Sequence, residues 1–485
     1  MKVGKIQWKR TGAMLAAVLI GISAAAMPAA AETMTAEDVR GMQQNALYWE
    51  NERTEEEGVL SGSVLDAAGT PDSDWVAFSI SRMGVEDNQA AYLYRLRETV
   101  EEMYADQEKT KKEHLPSDLC RIALTVNACG GDASSFGIDP EGNSIDLIND
   151  AVWNCIYGDP GMQGINGYMW ALAAADSQDY QEVPGAAWKR KKLLEAILFQ
   201  QHPDGGFSLN PAEEADTDLT AMMLTILAPY EESADIYEGT NAVTNETQSL
   251  TAADVCARAA DYLEKHIEAD GTVKSMDQSN SESTGWTLLG LSAHGVDCAA
   301  DPAVLQTDGT GLLDGLKRFQ LENGGFVHSL DKEQADTTGN AMATYQALYH
   351  MEGYCRLAEG RERLFHITDA KTVSDDEISK AGETLGERKM AETAVVGVDN
   401  DSESSGENAA EAGSGNKIRI IAIAAAVVLL VLALAAWLLL REKKGSGKAA
   451  AGSQPAGIGS QKTSDTDAGS GSYKYEDDED EDEEW

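Results

Sequence analysis

The chain has 485 residues, and 38 Lys and Arg stand against 82 Asp and Glu, a formal net charge of −44. So few cations cannot neutralise a phosphate backbone, which excludes nucleic acid as a partner. With 42% hydrophobic and 25% charged residues the composition is globular over most of the length, but only 6% of residues are aromatic, which disfavours a cavity walled with rings.

At the N-terminus, Lys2, Lys5, Lys9 and Arg10 precede a short apolar run from Met14 to Pro28 that ends in Ala29-Ala30-Ala31. This is the pattern of a secretory signal peptide over 1–31, cut before Glu32.

From 32 to 367 strand signals are nearly missing, and apolar residues recur at helical spacing with internal similarity at a period near fifty. The clearest pair is Leu193-Leu194-Glu195 running to Asp204-Gly205-Gly206-Phe207, and Leu312-Leu313-Asp314 running to Asn323-Gly324-Gly325-Phe326. Each reads as a helix stopped by a Gly-Gly turn, with Gly206 expected at positive φ. A capped apolar helix follows each: Asp216-Thr217-Asp218-Leu219-Thr220-Ala221-Met222 and Asp336-Thr337-Thr338-Gly339-Asn340-Ala341-Met342. The same unit opens at Ser73-Asp74-Trp75, Ser117-Asp118-Leu119, Gly164-Ile165-Asn166-Gly167 and Glu282-Ser283-Thr284. Between them lie amphipathic partners such as Tyr92 to Tyr104 and Ala253 to Ile267. The count is six inner helices, each with an outer one, which either stack as a solenoid or close into a ring.

Gln-x-x-Asp-Gly-Gly-Phe followed by a capped Thr-Ala-Met helix resembles the prenyltransferase and squalene-oxidase repeat. The whole interval is similar to the α/α toroid of terpenoid cyclases, protein prenyltransferase β subunits and cobalamin carriers. It is most similar to the transcobalamin-like helical ectodomains of Gram-positive surface proteins. The resemblance implies an all-α fold, an α6/α6 toroid of about six hairpins, and it allows a corrinoid ligand. Those carriers hold the corrinoid between the ring and a small β domain, and no such second half follows here.

Cyclase chemistry by protonation uses Asp-x-Asp-Asp. Here Asp218 falls at the family's proton-donor position, but Leu219 replaces the next acid. Helix capping by Asp216, with Asp218 in the first turn, explains the same residues without catalysis. Protein prenyltransfer needs zinc on Asp, Cys and His; Asp297-Cys298 and His350 lack that spacing, so no metal is expected. Glycan chemistry would use carboxylates at the mouth of the ring, with Trp or Tyr to stack on sugars. Binding without catalysis is the preferred reading. Its expected ligand site is the rim where the inner helices begin, with Asp74, Trp75, Asn166, Tyr168, Asp216, Asp218, Trp286 and Asp336 near it. The ligand is an unknown small molecule, glycan or peptide; were the protein an enzyme, Asp218 and Asp216 would be its acids.

Cys120, Cys129, Cys155, Cys256, Cys298 and Cys355 are irregularly spaced; outside a membrane disulfides are permitted, and buried free thiols are the preferred reading. Beyond the ring, 368–417 is rich in Ser, Gly, Ala and acids and is expected as a disordered stalk. A transmembrane helix is expected over 418–440, since Ile420 to Leu440 carries no charge and rises roughly 32 Å as a helix. Arg441, Lys443, Lys444 and Lys448 follow it, which places the N-terminal domain outside and the C-terminus in the cytoplasm. The tail, 441–485, is expected as disordered, and its acidic end offers a surface for a cytoplasmic partner.

Overall fold

The computed structural model describes residues 34–54, 58–331 and 337–398, with side chains to residue 386. The signal peptide, the apolar run Ile420 to Leu440 and the acidic tail lie outside the described residues. Among the described residues no helix is long and apolar enough to cross a membrane.

The chain is mostly α-helical. It opens with α1 (Ala36–Arg53), α2 (Gly62–Asp66) and α3 (Pro71–Arg82), followed by α4 (Gln89–Ala105), α5 (Gln107–Glu113) and α6 (Pro116–Ala128). A one-turn π-helix, Asn149–Trp153, precedes α7 (Ile165–Asp176) and α8 (Arg190–Leu198), and α9 (Thr217–Leu227) runs into a 3-10 turn at Ala228–Tyr230. Two small antiparallel hairpins, β1 (Tyr237–Thr240) with β2 (Thr247–Leu250) and β3 (Val273–Ser275) with β4 (Gln278–Asn280), lie on either side of α10 (Ala252–Glu264) in sequence. Then come α11 (Ser281–Ala293), α12 (Leu312–Lys317), α13 (Ala341–Ala358) and α14 (Asp375–Val398).

Local chemistry sets where the inner helices start. The side chains of Asp216, Asn280 and Asn340 accept from the amides of Leu219, Ser283 and Ala343, satisfying donors that a first turn leaves free. One turn on, Thr220, Thr284 and Thr344 donate to the cap residue's carbonyl. The same hydroxyls accept from the amides of Phe207, Val273 and Phe326. Each incoming extended segment is thereby fixed to the helix it feeds. This register pairs Asp216 with Asn340. The expected equivalence of Asp216 with Asp336 is therefore off by four residues, and Asp336 itself lies outside the described residues. The last unit has a longer stretch of sequence between Phe326 and its cap Asn340 than lies between Phe207 and Asp216.

Six helices contact one another in the order α3, α6, α7, α9, α11, α13 and back to α3. Their starts are linked pairwise: Asp74 to Arg121, Ser117 to Gln163, Thr217 to the Lys274 carbonyl, Glu282 to His328 and Asp72 to Tyr345. Gly164, ahead of α7, backs directly onto Leu209, ahead of α9. Their ends are linked too, through Ser81 and Cys129, Asn127 and Ser177, Tyr230 and Asp176, and His294 and Glu231. The six therefore run in one direction, with a helix-start face and a helix-end face.

A second tier packs outside: α4 on α3, α8 on α7, α10 on α9, α12 on α11 and α1 on α13. Glycine turns lock these outer helices to each other. A Cβ on Gly205 would lie 2.3 Å from the Arg258 carbonyl oxygen of α10, and one on Gly324 would lie 2.1 Å from that of Asn45 on α1. These two glycines hold φ of +98° and +96°. The expectation for Gly206 is corrected: the left-handed residue is Gly205. Gly206 is required instead because its missing Cβ leaves room for Ala215 and Tyr262.

The centre is aromatic, against the expectation drawn from composition. Trp75 lies 5.3 Å from both Trp170 and Phe78, and Trp286 lies 5.6 Å from Tyr349. Few rings are present, but the inner helices gather them. Phe365, from the segment after α13, stacks on Phe78 at 5.3 Å. All six cysteines are buried and unpaired. Burial pushes the Cys129 thiol up to about 12, which leaves it unreactive.

The stalk expected from 368 onward also needs correction in its first part. Arg82 and Arg356, both buried, share the Asp369 carboxylate at 2.5 and 2.8 Å. Helix α14 packs on α4.

Candidate functional site

The helix-start face carries two layers. The outer layer is apolar and exposed. Leu115 precedes α6, Met162 precedes α7, Leu209 precedes α9, Met276 tips the hairpin before α11 and Met342 lies in the first turn of α13. Five successive inner helices thus each present a large exposed apolar side chain on the same face. Met276 is the extreme case. It is 99% exposed. With Asp277 it forms a two-residue hairpin turn at φ of +51° and +66°. Turns of this kind favour Asn and Gly, because a Cβ at positive φ is strained.

The inner layer is polar and short of partners. Glu282 Oε1 and Thr287 Oγ1 are buried with no hydrogen-bond partner among the described residues, and beside them the Ser283 hydroxyl faces the buried Asp218 carboxyl. Asp218, Glu282 and Ser283 lie on the first turns of α9 and α11, and Thr287 one turn further along α11. Glu282 Oε2 accepts from Ser281 at 3.0 Å and contacts His328 Nδ1 at 2.8 Å. Burial, together with the Asp216 and Glu282 carboxyls nearby, pushes Asp218 up to about 6. His350 is fully buried against Trp286 and Tyr349, and burial holds its pKa well below the usual range. Both its ring nitrogens are unpartnered among the described residues.

The expected site residues separate into groups. Asp216 and Asp218 sit together at the start of α9, next to Glu282. Trp75 and Trp286 belong to the central aromatic cluster, Trp75 half-buried and Trp286 buried. Asn166, in the first turn of α7, has a buried unpartnered Oδ1. Asp74 does not reach the face. It is wholly buried, bonded to Arg121 at 3.0 Å, Tyr92 at 2.7 Å and the Gly69 amide at 2.9 Å, which makes it a structural ion pair. Tyr168 is turned aside, 5.3 Å from the Trp188 ring and bonded to Asp159. Asp336 lies outside the described residues.

Sequence reasoning missed His328, Tyr345 and the apolar rim. His328 comes from the loop after α12, and Tyr345 bonds Asp72 across the α13–α3 contact. Such cross-chain meetings have no local signature. The rim was legible as apolar residues in approach loops, where core packing does not select them.

Among the described residues no group of three or more His, Cys, Asp or Glu is placed to hold a metal. The chain matches no protein-family model and no curated protein.

Proposed function

We propose that the protein is a ligand-binding or adhesion module displayed outside a membrane by a single C-terminal helix, and that it works without catalysis. Its α6/α6 toroid presents the helix-start face to the ligand. The cyclic order of inner-helix contacts supports the toroid; the apolar run Ile420 to Leu440 and the basic residues after it support the anchor. The observation that carries the binding reading is Met276, strained and exposed, on a face where four other inner helices also present an exposed Leu or Met. Flexible, polarisable methionines adapt to varied apolar partners, and this favours a peptide segment over a sugar. The unpartnered polar atoms beneath give the peptide's polar groups somewhere to bond.

A corrinoid is not part of this reading.

A second reading rests on Asp218. A buried carboxyl raised to about 6 beside Glu282 suits a general acid, as in an enzyme acting on glycans or one resembling terpene cyclases.

Peptide and glycan arrays probed with the full-length protein separate the two. Binding of a peptide, weakened about tenfold by Met276→Asp and only modestly by Asp218→Asn, with the ligand recovered unchanged, is the expected result. Steady product release that Asp218→Asn abolishes would establish the enzyme instead.

A further inference from the structure

At the opposite, helix-end face, the inner helices α7, α9, α11 and α13 enclose a cavity of about 650 Å³ with the segment 361–366. That is within the roughly 300–1,000 Å³ typical of small-molecule sites. Its apolar wall includes Ile226, Leu289, Leu357 and Phe365. The segment is held firmly. Arg82 donates to the carbonyls of Leu364 and His366 at 2.8 and 3.0 Å, and the Ile367 amide donates to Ser177 at 2.6 Å. The cavity is therefore formed before anything enters it.

Its charge is unusual for so acidic a chain. Four arginines line it: Arg190, Arg356, Arg361 and Arg363. Three have acid partners, Asp176 for Arg190, Asp369 for Arg356 and Glu352 for Arg361. The acids at the mouth, Asp179 and Glu362, both contact His366, at 3.2 and 2.7 Å. Arg363 forms no ion pair among the described residues and uses only Nε, donating to the Ala293 carbonyl at 3.2 Å. Helix ends present carbonyl oxygens that would repel an anion. Here Arg190 covers the Ala175 carbonyl and the exposed Arg363 covers that of Ala293, and both side chains line the cavity.

We propose that this cavity is a second ligand site, which takes an organic monoanion with a compact apolar body and pairs its anionic group with Arg363. The site is at the other face from the one proposed for peptide and stands independently of it. One uncommitted guanidinium matches one anionic group, and a planar fork binds a carboxylate or sulfonate through two bonds.

The test uses the full-length protein and two fluorescent probes, 8-anilinonaphthalene-1-sulfonate and its uncharged analogue N-phenyl-1-naphthylamine. Both are expected to bind the wild-type protein at one site. Arg363→Gln should weaken the sulfonate at least about tenfold, as loss of a charge-assisted bond implies, and leave the neutral dye within about twofold. Ala293→Phe, which fills the mouth, should remove both while leaving the circular dichroism unchanged. The proposal is overturned if the wild-type protein binds neither dye, if Arg363→Gln leaves sulfonate binding unchanged, or if the folded Ala293→Phe protein binds both normally.

Discussion

Two glycines with the same backbone show how much a residue's neighbours decide. Gly205 and Gly84 both hold positive φ, at +98° and +76°. A Cβ on Gly84 would meet nothing within 4 Å, whereas one on Gly205 would meet the Arg258 backbone at 2.3 Å. Alanine at Gly84 should therefore bear only the conformational penalty, about 1 kcal/mol. Alanine at Gly205 should add displacement of a backbone carbonyl in α10 and destabilise by about 3 kcal/mol or more. Thermal unfolding of the two variants checks this, and equal melting temperatures would contradict it. The sequence marks both positions as turn glycines, because Gly stops helices whatever lies beyond. It could not tell Gly205 from Gly206, since the distinction lies in which neighbour each one touches. Asp74 carries the same lesson. Its place beside Trp75 at a helix start reads as a rim acid, yet Tyr92 and Arg121, brought in from two other helices, turn it into a buried structural group.

At the scale of elements, the inner-helix starts were legible because caps are local. Asp216 acts within three residues of itself, and the apolar turns that follow it are contiguous. The register of the last unit was not legible, because its approach loop is longer and Asn340, not Asp336, does the capping. Helix α14 was missed for a related reason. Its composition is that of a solvated tail, and it is placed by packing on α4 and by the Asp369 contacts. Arg82 and Arg356 are both buried, and each spends one bond on Asp369. Burial and the neighbouring Arg356 pull the Arg82 pKa down to about 10, while the two guanidiniums hold Asp369 below the usual carboxylate range. Removing the shared acid leaves Arg82 without its ion-pair partner and Arg356 with Glu352 alone, at 2.9 Å. Asp369→Ala should accordingly destabilise by about 2 kcal/mol, less than a fully buried pair would cost because Asp369 is partly exposed and Arg356 keeps Glu352. Denaturant unfolding reads the effect; a change under about 0.5 kcal/mol would mean that Glu352 and the backbone carbonyls hold the two arginines without Asp369.

At the scale of the molecule, the helix-start and helix-end faces of the inner helices differ in a way that no single motif predicts. The helix-start face combines exposed Met and Leu with buried polar atoms that lack partners. The helix-end face is knit by arginines and closed in part by Phe365. The central aromatic cluster separates them, and its rings come from helices far apart in the sequence, so composition alone understated it. A net charge of −44 disfavours strongly acidic macromolecules as partners. It also favours a ligand that is apolar or cationic at the helix-start face, where Asp218 and Glu282 lie. The most direct measurement is a crystal structure of the protein with the tightest-binding peptide from the array. The expected result is an intact peptide lying across Met276 and Met342 with polar groups bonded to the atoms around Asp218. A peptide bound only elsewhere, or found cleaved, would contradict it.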